Sequence, residues 1–99
     1  MKLDNPFPYK VRLLYLYCYA CFNCGRSGAG LELHHITGRD SNSAFNACPV
    51  CNVCHPHMTH TQDEEKFLTG KVIDFHVNNG YKPEEMDWQH LRDHPWLIT

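Results

Sequence analysis

The chain has 99 residues and a formal net charge of −2, from nine lysines and arginines against eleven acidic residues. Its length predicts one domain with a small core, and no apolar stretch approaches the roughly 20 residues that would span a bilayer. The acidic balance excludes a broad basic field for nucleic acid, but basic side chains gather in the first forty residues, where we expect any phosphate contacts.

The first half of the chain predicts short elements separated by turns. Two prolines make residues 1–8 an irregular arm, and the aromatic-rich segment that follows favours a helix over residues 9–17. Three glycines between residues 21 and 30 indicate a turn or knuckle. We expect three segments to follow in order: a short strand over residues 31–36, a polar loop over 37–43 and a second extended stretch over 44–50.

Two helices are predicted in the second half of the chain. Thr61 and Glu64 have the spacing of a capping box, apolar side chains recur behind them at helical intervals, and Gly80 provides a stop. Pro83, followed by two glutamates, begins a second helix, which should end before Pro95.

The six cysteines lie between residues 18 and 54, and their spacing predicts a metal site. Two Cys-x-x-Cys turns can supply four thiolates to one tetrahedral zinc ion, as in a zinc ribbon. We pair Cys21 with Cys24, because the glycine that follows permits a tight turn, and Cys51 with Cys54, for register with nearby histidines. Two other pairings stay open: Cys18 with Cys21, and Cys48 with Cys51.

This use of cysteine favours an intracellular protein over a disulfide-linked secreted one. The first residues contain no apolar signal region, and the cysteines have metal-ligand spacings beside histidines. We therefore expect a cytoplasmic protein with structural Zn²⁺ and no contact with a membrane.

A second set of candidate ligands begins in the segment Leu31-Glu32-Leu33-His34-His35-Ile36. An asparagine, Asn46, follows this segment, and His55 comes directly after the last cysteine. Adjacent strand residues point to opposite faces, so His34 and His35 can flank a phosphate, with a metal ion on one side and a proton acceptor on the other. Neutral imidazole accepts a proton near pH 7.

With these residues in register, the sequence resembles the HNH endonucleases, in the zinc-ribbon subgroup of the His-Me finger nucleases. The resemblance covers residues 18–70 and leaves residues 71–99 as a C-terminal helical extension of a single domain, 1–99. It implies an α+β fold: a small ββα-metal finger with a structural Cys₄ zinc knuckle and flanking helices.

The resemblance also implies a role for each residue of the motif. His34 and His55 would be ligands of the catalytic ion, His35 the general base, and Asn46 the residue that holds the finger loop and helps orient the base. The implied activity is metal-dependent hydrolysis of DNA phosphodiester bonds, leaving a 5′-phosphate and a 3′-hydroxyl, with Mg²⁺ or Mn²⁺ as the catalytic ion.

Other metal-binding interpretations stay open. His55 can replace a cysteine in a Cys₃His zinc site. Either His57 or His60 can supply a third ligand to the catalytic ion, although solvated side chains are favoured. His90 and His94 have an i, i+4 spacing that can bind metal, although surface histidines are favoured there too.

The expected partner is DNA, with Arg26 and Arg39 as candidate phosphate contacts near the cleft. Lys10 and Arg12 are weaker candidates for contacts with the backbone. The aromatic run from Tyr9 to Tyr19 can stack on bases, but core packing is favoured for most of it.

Two alternative functions stay open. One is a non-catalytic zinc-finger module that binds nucleic acid or protein. The other is a nuclease subunit that is active only with a phage or host protein, in packaging or recombination. Compact HNH proteins are common in phage genomes, and a phage-encoded protein would be in the cytoplasm of its host cell. We expect a monomer or a homodimer.

Overall fold

The computed structural model describes residues 7–28 and 30–98. Most of the predicted N-terminal arm, residues 1–6, lies outside these ranges. The described chain forms a small mixed fold with one two-stranded antiparallel sheet. In chain order its elements are α1 (Tyr9–Leu13), β1 (Glu32–His35), β2 (Ala47–Val50), α2 (Gln62–Asn78) and α3 (Glu85–Asp93), with 3₁₀ turns at Ala44–Asn46, His55–His57 and Pro95–Ile98.

The register of β1 against β2 decides where the motif side chains point. His34 lies opposite Cys48, and His35 lies opposite Ala47. Because side chains alternate along a strand, His34 shares a face with Glu32, whereas His35 points to the other side of the sheet. The two predicted extended segments are therefore paired, although the second begins with a 3₁₀ turn that the hydroxyl of Ser43 caps.

The first helix is shorter than the pattern predicts, and the chain continues from Leu14 as a turn. Tyr15 explains the change, because its buried hydroxyl donates to the Ala44 carbonyl oxygen at 2.8 Å and ties this turn to the sheet. The prediction that most of the tyrosines pack in the core is wrong. Tyr15 is buried, but three others are largely exposed: Tyr9, Tyr17 and Tyr19.

The long helix α2 follows the second strand and supports the sheet. Leu68 and Val72 are fully buried in the main core cluster. The helix ends at Asn78, as predicted, and Gly80 has a φ of +72°. It therefore runs across residue 70, where the sequence divides the motif from the extension. Within the described ranges, no helix has both the length and the apolar character required to cross a bilayer.

The C-terminal helix α3 is fixed to the sheet region by a buried carboxylate. Asp87 is fully buried and accepts hydrogen bonds from the Ser43 hydroxyl and from the backbone N–H of Ala44. Its second oxygen accepts from the Tyr81 hydroxyl and the Glu84 N–H, at 2.5 and 2.8 Å. A buried charge with four donors is satisfied, so α3 is held next to the loop that follows β1.

Candidate metal centres

Four cysteine side chains converge where the two predicted knuckles meet. The Sγ atoms of Cys21, Cys24, Cys51 and Cys54 all lie within 4.8 Å of one another, and those of Cys24 and Cys51 are 3.9 Å apart. A tetrahedral zinc site with Zn–S bonds of about 2.3 Å needs sulfur separations of about 3.8 Å. The predicted set of four is therefore confirmed as a cluster positioned to bind a metal ion such as zinc.

Backbone N–H groups point at the sulfur atoms within each knuckle. The Cys24 N–H donates to Cys21 Sγ, and the Cys54 N–H donates to Cys51 Sγ, each at 3.4 Å. Such donors favour the thiolate, which is the form that binds metal. The Cys54 N–H accordingly lowers the pKa of Cys51 to about 6. Gly25 has a φ of +77°, which agrees with the tight turn that the sequence predicts after Cys24.

The two remaining cysteines lie outside this cluster. Cys48 is fully buried in the core and Cys18 is half-buried. Burial raises the pKa of both thiols, so they are packed as neutral side chains rather than as metal ligands. His55 also lies apart from the four sulfurs, and its ring faces His34 instead.

Three imidazole rings, those of His34, His55 and His60, lie close together next to the second knuckle. The ring centroid of His34 lies 5.3 Å from that of His55 and 4.9 Å from that of His60. The rings of the two predicted ligands of the catalytic ion are thus neighbours, and the exposed ring of His60 lies beside them. Among the described residues, however, only the four cysteines form a group of three or more side chains whose ligand atoms converge on one point. The side chain of His57 is exposed.

Contacts behind two of these rings fix which nitrogen carries the hydrogen. His55 Nδ1 lies 2.6 Å from Glu32 Oε1, and His60 Nδ1 lies 3.0 Å from the carbonyl oxygen of Ile36. A carboxylate and a carbonyl only accept hydrogen bonds, so both Nδ1 atoms donate and the lone pair is on Nε2. Metal-binding histidines are typically held in this way. The sequence analysis gives Glu32 no role, although strand alternation places it on the face of His34 and its carboxylate holds the His55 ring.

The backbone at His60 is held in an unusual conformation. Its φ of +56° is the only positive value for a residue other than glycine in the described chain. Glu64 stabilises this turn by accepting from the N–H groups of Thr59 and His60, each at 3.0 Å. The predicted capping box is therefore half formed. The Thr61 hydroxyl accepts from the Glu64 N–H, whereas the Glu64 carboxylate holds the turn that carries His60.

His34 is the most enclosed of the three imidazoles. Its side chain is buried, and its Nε2 has no hydrogen-bond partner among the described residues. Burial, followed by the charges of His60 and His55, lowers the pKa of His34 to about 4. The ring is therefore neutral at physiological pH, and its unpaired buried nitrogen has the character of a ligand atom.

His35 lies on the opposite face of β1, away from the imidazole cluster. Its ring stacks on Phe7, with the centroids 3.7 Å apart and the planes 8° from parallel. Burial lowers the pKa of His35, a hydrogen bond with Asn42 opposes this effect, and the charge of Arg39 adds to it. His35 Nε2 is closed to solvent in this arrangement and has no hydrogen-bond partner within the described ranges.

Asn46 holds the loop that follows β1. Its Oδ1 accepts from the N–H and the hydroxyl of Thr37, at 2.9 and 3.1 Å. Its Nδ2 donates to the carbonyl oxygens of Gly38 and Ser41, at 3.0 and 2.7 Å. The fully buried amide therefore fixes the backbone of the loop that carries Arg39 and Asn42 beside His35.

The two candidate phosphate contacts differ in position. Arg39 is exposed on this loop, close enough for its charge to lower the pKa of His35. Arg26 is exposed in the first knuckle, where its carbonyl oxygen accepts from the Cys21 N–H at 3.0 Å. The structure thus associates Arg39 with the candidate base and Arg26 with the cysteine cluster.

The histidine pair near the C-terminus is an internal tether. His94 Nδ1 donates to the His90 carbonyl oxygen at 2.6 Å, and His94 Nε2 donates to Asp40 Oδ2 at 2.8 Å. Both partners only accept, so this geometry favours the imidazolium form, in which neither ring nitrogen has a lone pair for a metal ion. Burial opposes this charge, but the two hydrogen bonds raise the pKa of His94 above its usual value. The surface position favoured by the sequence is wrong, since both rings are buried.

The pH dependence of stability tests whether His90 is buried as a neutral ring. Burial, then the charge of His94, lowers the pKa of His90 to about 4, and neither ring nitrogen has a partner among the described residues. In the folded chain His90 stays neutral until the pH nears 4, whereas in the unfolded chain it takes up a proton below about pH 6.5. The folded state therefore loses stability relative to the unfolded state as the pH falls from about 6.5 toward 4. Between pH 7 and pH 5.5, we expect the wild-type chain to lose about 1 kcal/mol more stability than His90→Leu. Urea unfolding at the two pH values measures this, with exposed His57→Leu as a control that should follow the wild type.

Comparisons of the chain with models of known protein families, with curated proteins and with solved structures found no match, so its function has to be inferred from the chemistry of these side chains.

Proposed function

We propose that the protein is a metal-dependent DNA endonuclease of the HNH type. His35 is the general base, and His34 and His55 hold a catalytic divalent ion. The observation that carries this proposal is that the two faces of β1 present different histidines. One face presents His34 to two other imidazoles, while the opposite face presents His35 as a neutral ring with an unpaired nitrogen.

The arrangement of elements supports the proposal. An antiparallel strand pair is followed by a helix, and the cysteine cluster joins the two turns that flank this pair. This order agrees with a ββα-metal finger stabilised by a Cys₄ knuckle. The hydrogen bonds of Asn46 to the loop after β1 agree with the role that the resemblance gives to that residue.

Each side chain has a defined task in this proposal. His35 Nε2 takes the proton from the attacking water, and Asn46 keeps the neighbouring loop in place. Glu32 holds His55 through Nδ1, and the Ile36 carbonyl does the same for His60, so in each neutral ring Nε2 would be the atom available to a metal ion. A divalent ion held there would supply charge neutralisation for the phosphate and for the leaving oxygen. Two imidazoles leave room for water and phosphate oxygens, which Mg²⁺ or Mn²⁺ accepts, whereas a third from His60 favours a transition-metal ion.

The proposal is tested by cleavage of supercoiled plasmid, single-stranded DNA and branched DNA with Mg²⁺, Mn²⁺ or Ni²⁺. We expect nicked circles to form with Mg²⁺ or Mn²⁺ and no product in EDTA. Nicks should accumulate before linear DNA, because a double-strand cut needs a homodimer or two visits by one active site. A folded, zinc-loaded chain that cleaves no DNA form with any of these ions would favour the zinc-finger binding module instead.

A nuclease subunit that depends on a protein partner is the second candidate. The net charge of −2 favours it, because the chain has little long-range attraction for DNA. A phage or host partner in packaging or recombination would supply that affinity. Cleavage that appears only at high protein concentration and low salt, and is lost at physiological salt, would support this candidate.

A further inference from the structure

A cavity of about 390 Å³ lies between α1 and the sheet. Tyr9 and Arg12 from α1 line one side, and Glu32 and Leu33 from β1 line the other. Small-molecule sites typically have volumes of about 300–1,000 Å³, so this cavity is of a size to hold one nucleobase. It borders the strand that carries both histidines of the motif.

The wall of this cavity contains a hydrogen-bond donor that the fold does not use. Arg12 Nε is buried and has no partner among the described residues. An unpaired buried donor destabilises a fold, so its retention needs a reason other than stability. The guanidinium also supplies positive charge, which complements the backbone of a nucleic acid strand.

An exposed aromatic ring lies beside this donor. The Arg12 guanidinium carbon is 5.5 Å from the centroid of the Tyr9 ring, and Tyr9 is 66% exposed. Single-stranded nucleic acid is commonly bound by an aromatic ring on which a base stacks, next to a cation that contacts the strand. Arg12 and Tyr9 place both groups at the mouth of one cavity.

A short path connects the cavity with the imidazole cluster. Glu32 lines the cavity, and its Oε1 also holds His55 Nδ1 at 2.6 Å. A base in the cavity would therefore lie next to a side chain that orients a proposed metal ligand. This proximity indicates a nucleotide close to the scissile phosphate rather than a distant part of the substrate.

We propose that this cavity binds one unstacked nucleobase of the substrate strand, with Tyr9 stacking on the base and Arg12 donating a hydrogen bond to it or to its phosphate. The statement that the bound nucleic acid strand is the substrate rests on the proposed nuclease function. A base inside a duplex must be unpaired and unstacked before it can enter the cavity, whereas a base that is already unpaired enters at a lower energetic cost. The preferred substrate is accordingly single-stranded DNA, or the unpaired part of branched DNA.

The test measures binding of a short fluorescent single strand, and of the same strand in a duplex, to zinc-loaded His35→Ala protein. We expect Arg12→Gln or Tyr9→Leu in this background to weaken single-strand binding about tenfold. Lys71→Gln and Phe67→Leu are matched controls. They alter an exposed cation–ring pair on α2, 5.4 Å apart, that does not line the cavity. These controls should change binding by less than about twofold.

Abasic nucleotides locate the bound base. An abasic nucleotide placed at each position in turn should cost about tenfold at one position when Tyr9 is present, and less than about twofold at that position in Tyr9→Leu, which lacks the stacking ring. Circular dichroism confirms that each variant is folded. Equal losses in Arg12→Gln and Lys71→Gln, or no position-specific loss, would overturn the proposal.

Cleavage by the wild-type chain is scored separately, so the two proposals can fail independently. Metal-dependent cleavage without an Arg12-specific loss of binding overturns the base site and leaves the nuclease function. Arg12-specific binding of single strands, without cleavage by the wild-type chain, supports the base site and overturns the nuclease function.

Discussion

Cys24→Ser is expected to unfold the domain or to make it aggregate. The four sulfurs come from two turns that are far apart in the sequence, and one ion bound to them would join these turns across the sheet. Structural zinc in small sites contributes apparent binding free energies of about 10 kcal/mol or more to folding, which exceeds the stability that a small core supplies alone. Thermal unfolding followed by circular dichroism and zinc content by mass spectrometry measure the effect. The wild type should hold about one zinc per chain and the variant none.

Cys18→Ser is the matched control for this experiment. Cys18 is also a cysteine of the N-terminal half, but it lies outside the sulfur cluster. This control should retain its zinc and a cooperative unfolding transition. A Cys24→Ser chain that is soluble, folded and free of metal would show that the cysteine cluster is not what stabilises the fold.

His35→Ala is expected to abolish cleavage while the fold persists. General-base catalysis by a side chain typically contributes about 10²–10⁴-fold to a rate, and the proposal gives this role to His35 alone. Zinc content and the affinity for DNA should stay at wild-type values, because the ring contributes no contact to the cysteine cluster. The measurement is the rate of plasmid nicking at saturating divalent ion, together with zinc content and DNA binding.

The pH dependence of cleavage gives a second readout for His35. The base works only when neutral, so the rate falls as the pH falls through the pKa of the ring. Burial and the charge of Arg39 lower that pKa, so the acid limb should lie below the ordinary value of about 6.5. His57→Ala, at an exposed histidine near the site, should cleave like the wild type. Undiminished cleavage by His35→Ala would remove the base assignment.

The metal-binding residues follow from short-range sequence spacing. A Cys-x-x-Cys turn brings two sulfurs to one ion wherever it occurs, so the choice of Cys21, Cys24, Cys51 and Cys54 needed only the glycine after the first pair and the register of the second. Strand alternation likewise separates His34 from His35 without knowledge of the rest of the fold. The boundaries of α2 were predictable for the same reason, since its cap and its stop are local signals.

Other site residues depend on contacts between distant segments. Phe7 comes from a segment predicted as irregular, yet its ring packs on His35. Glu32 acquires its role only when His55 is brought within 2.6 Å of it. His60 approaches His34 because Glu64 holds the backbone in a left-handed turn, and that contact is not visible in residue types alone.

The sequence by itself determined the ligand types, the two knuckles and the two faces of β1, because these follow from spacings of one to a few residues along a regular backbone. Only the tertiary structure decided which segment packs on His35, which imidazole becomes the third member of the cluster, and that α1 and β1 enclose a cavity beside Arg12. These features arise from packing between residues that are far apart in the chain. Such packing depends on the shape of the whole core, which no local pattern encodes.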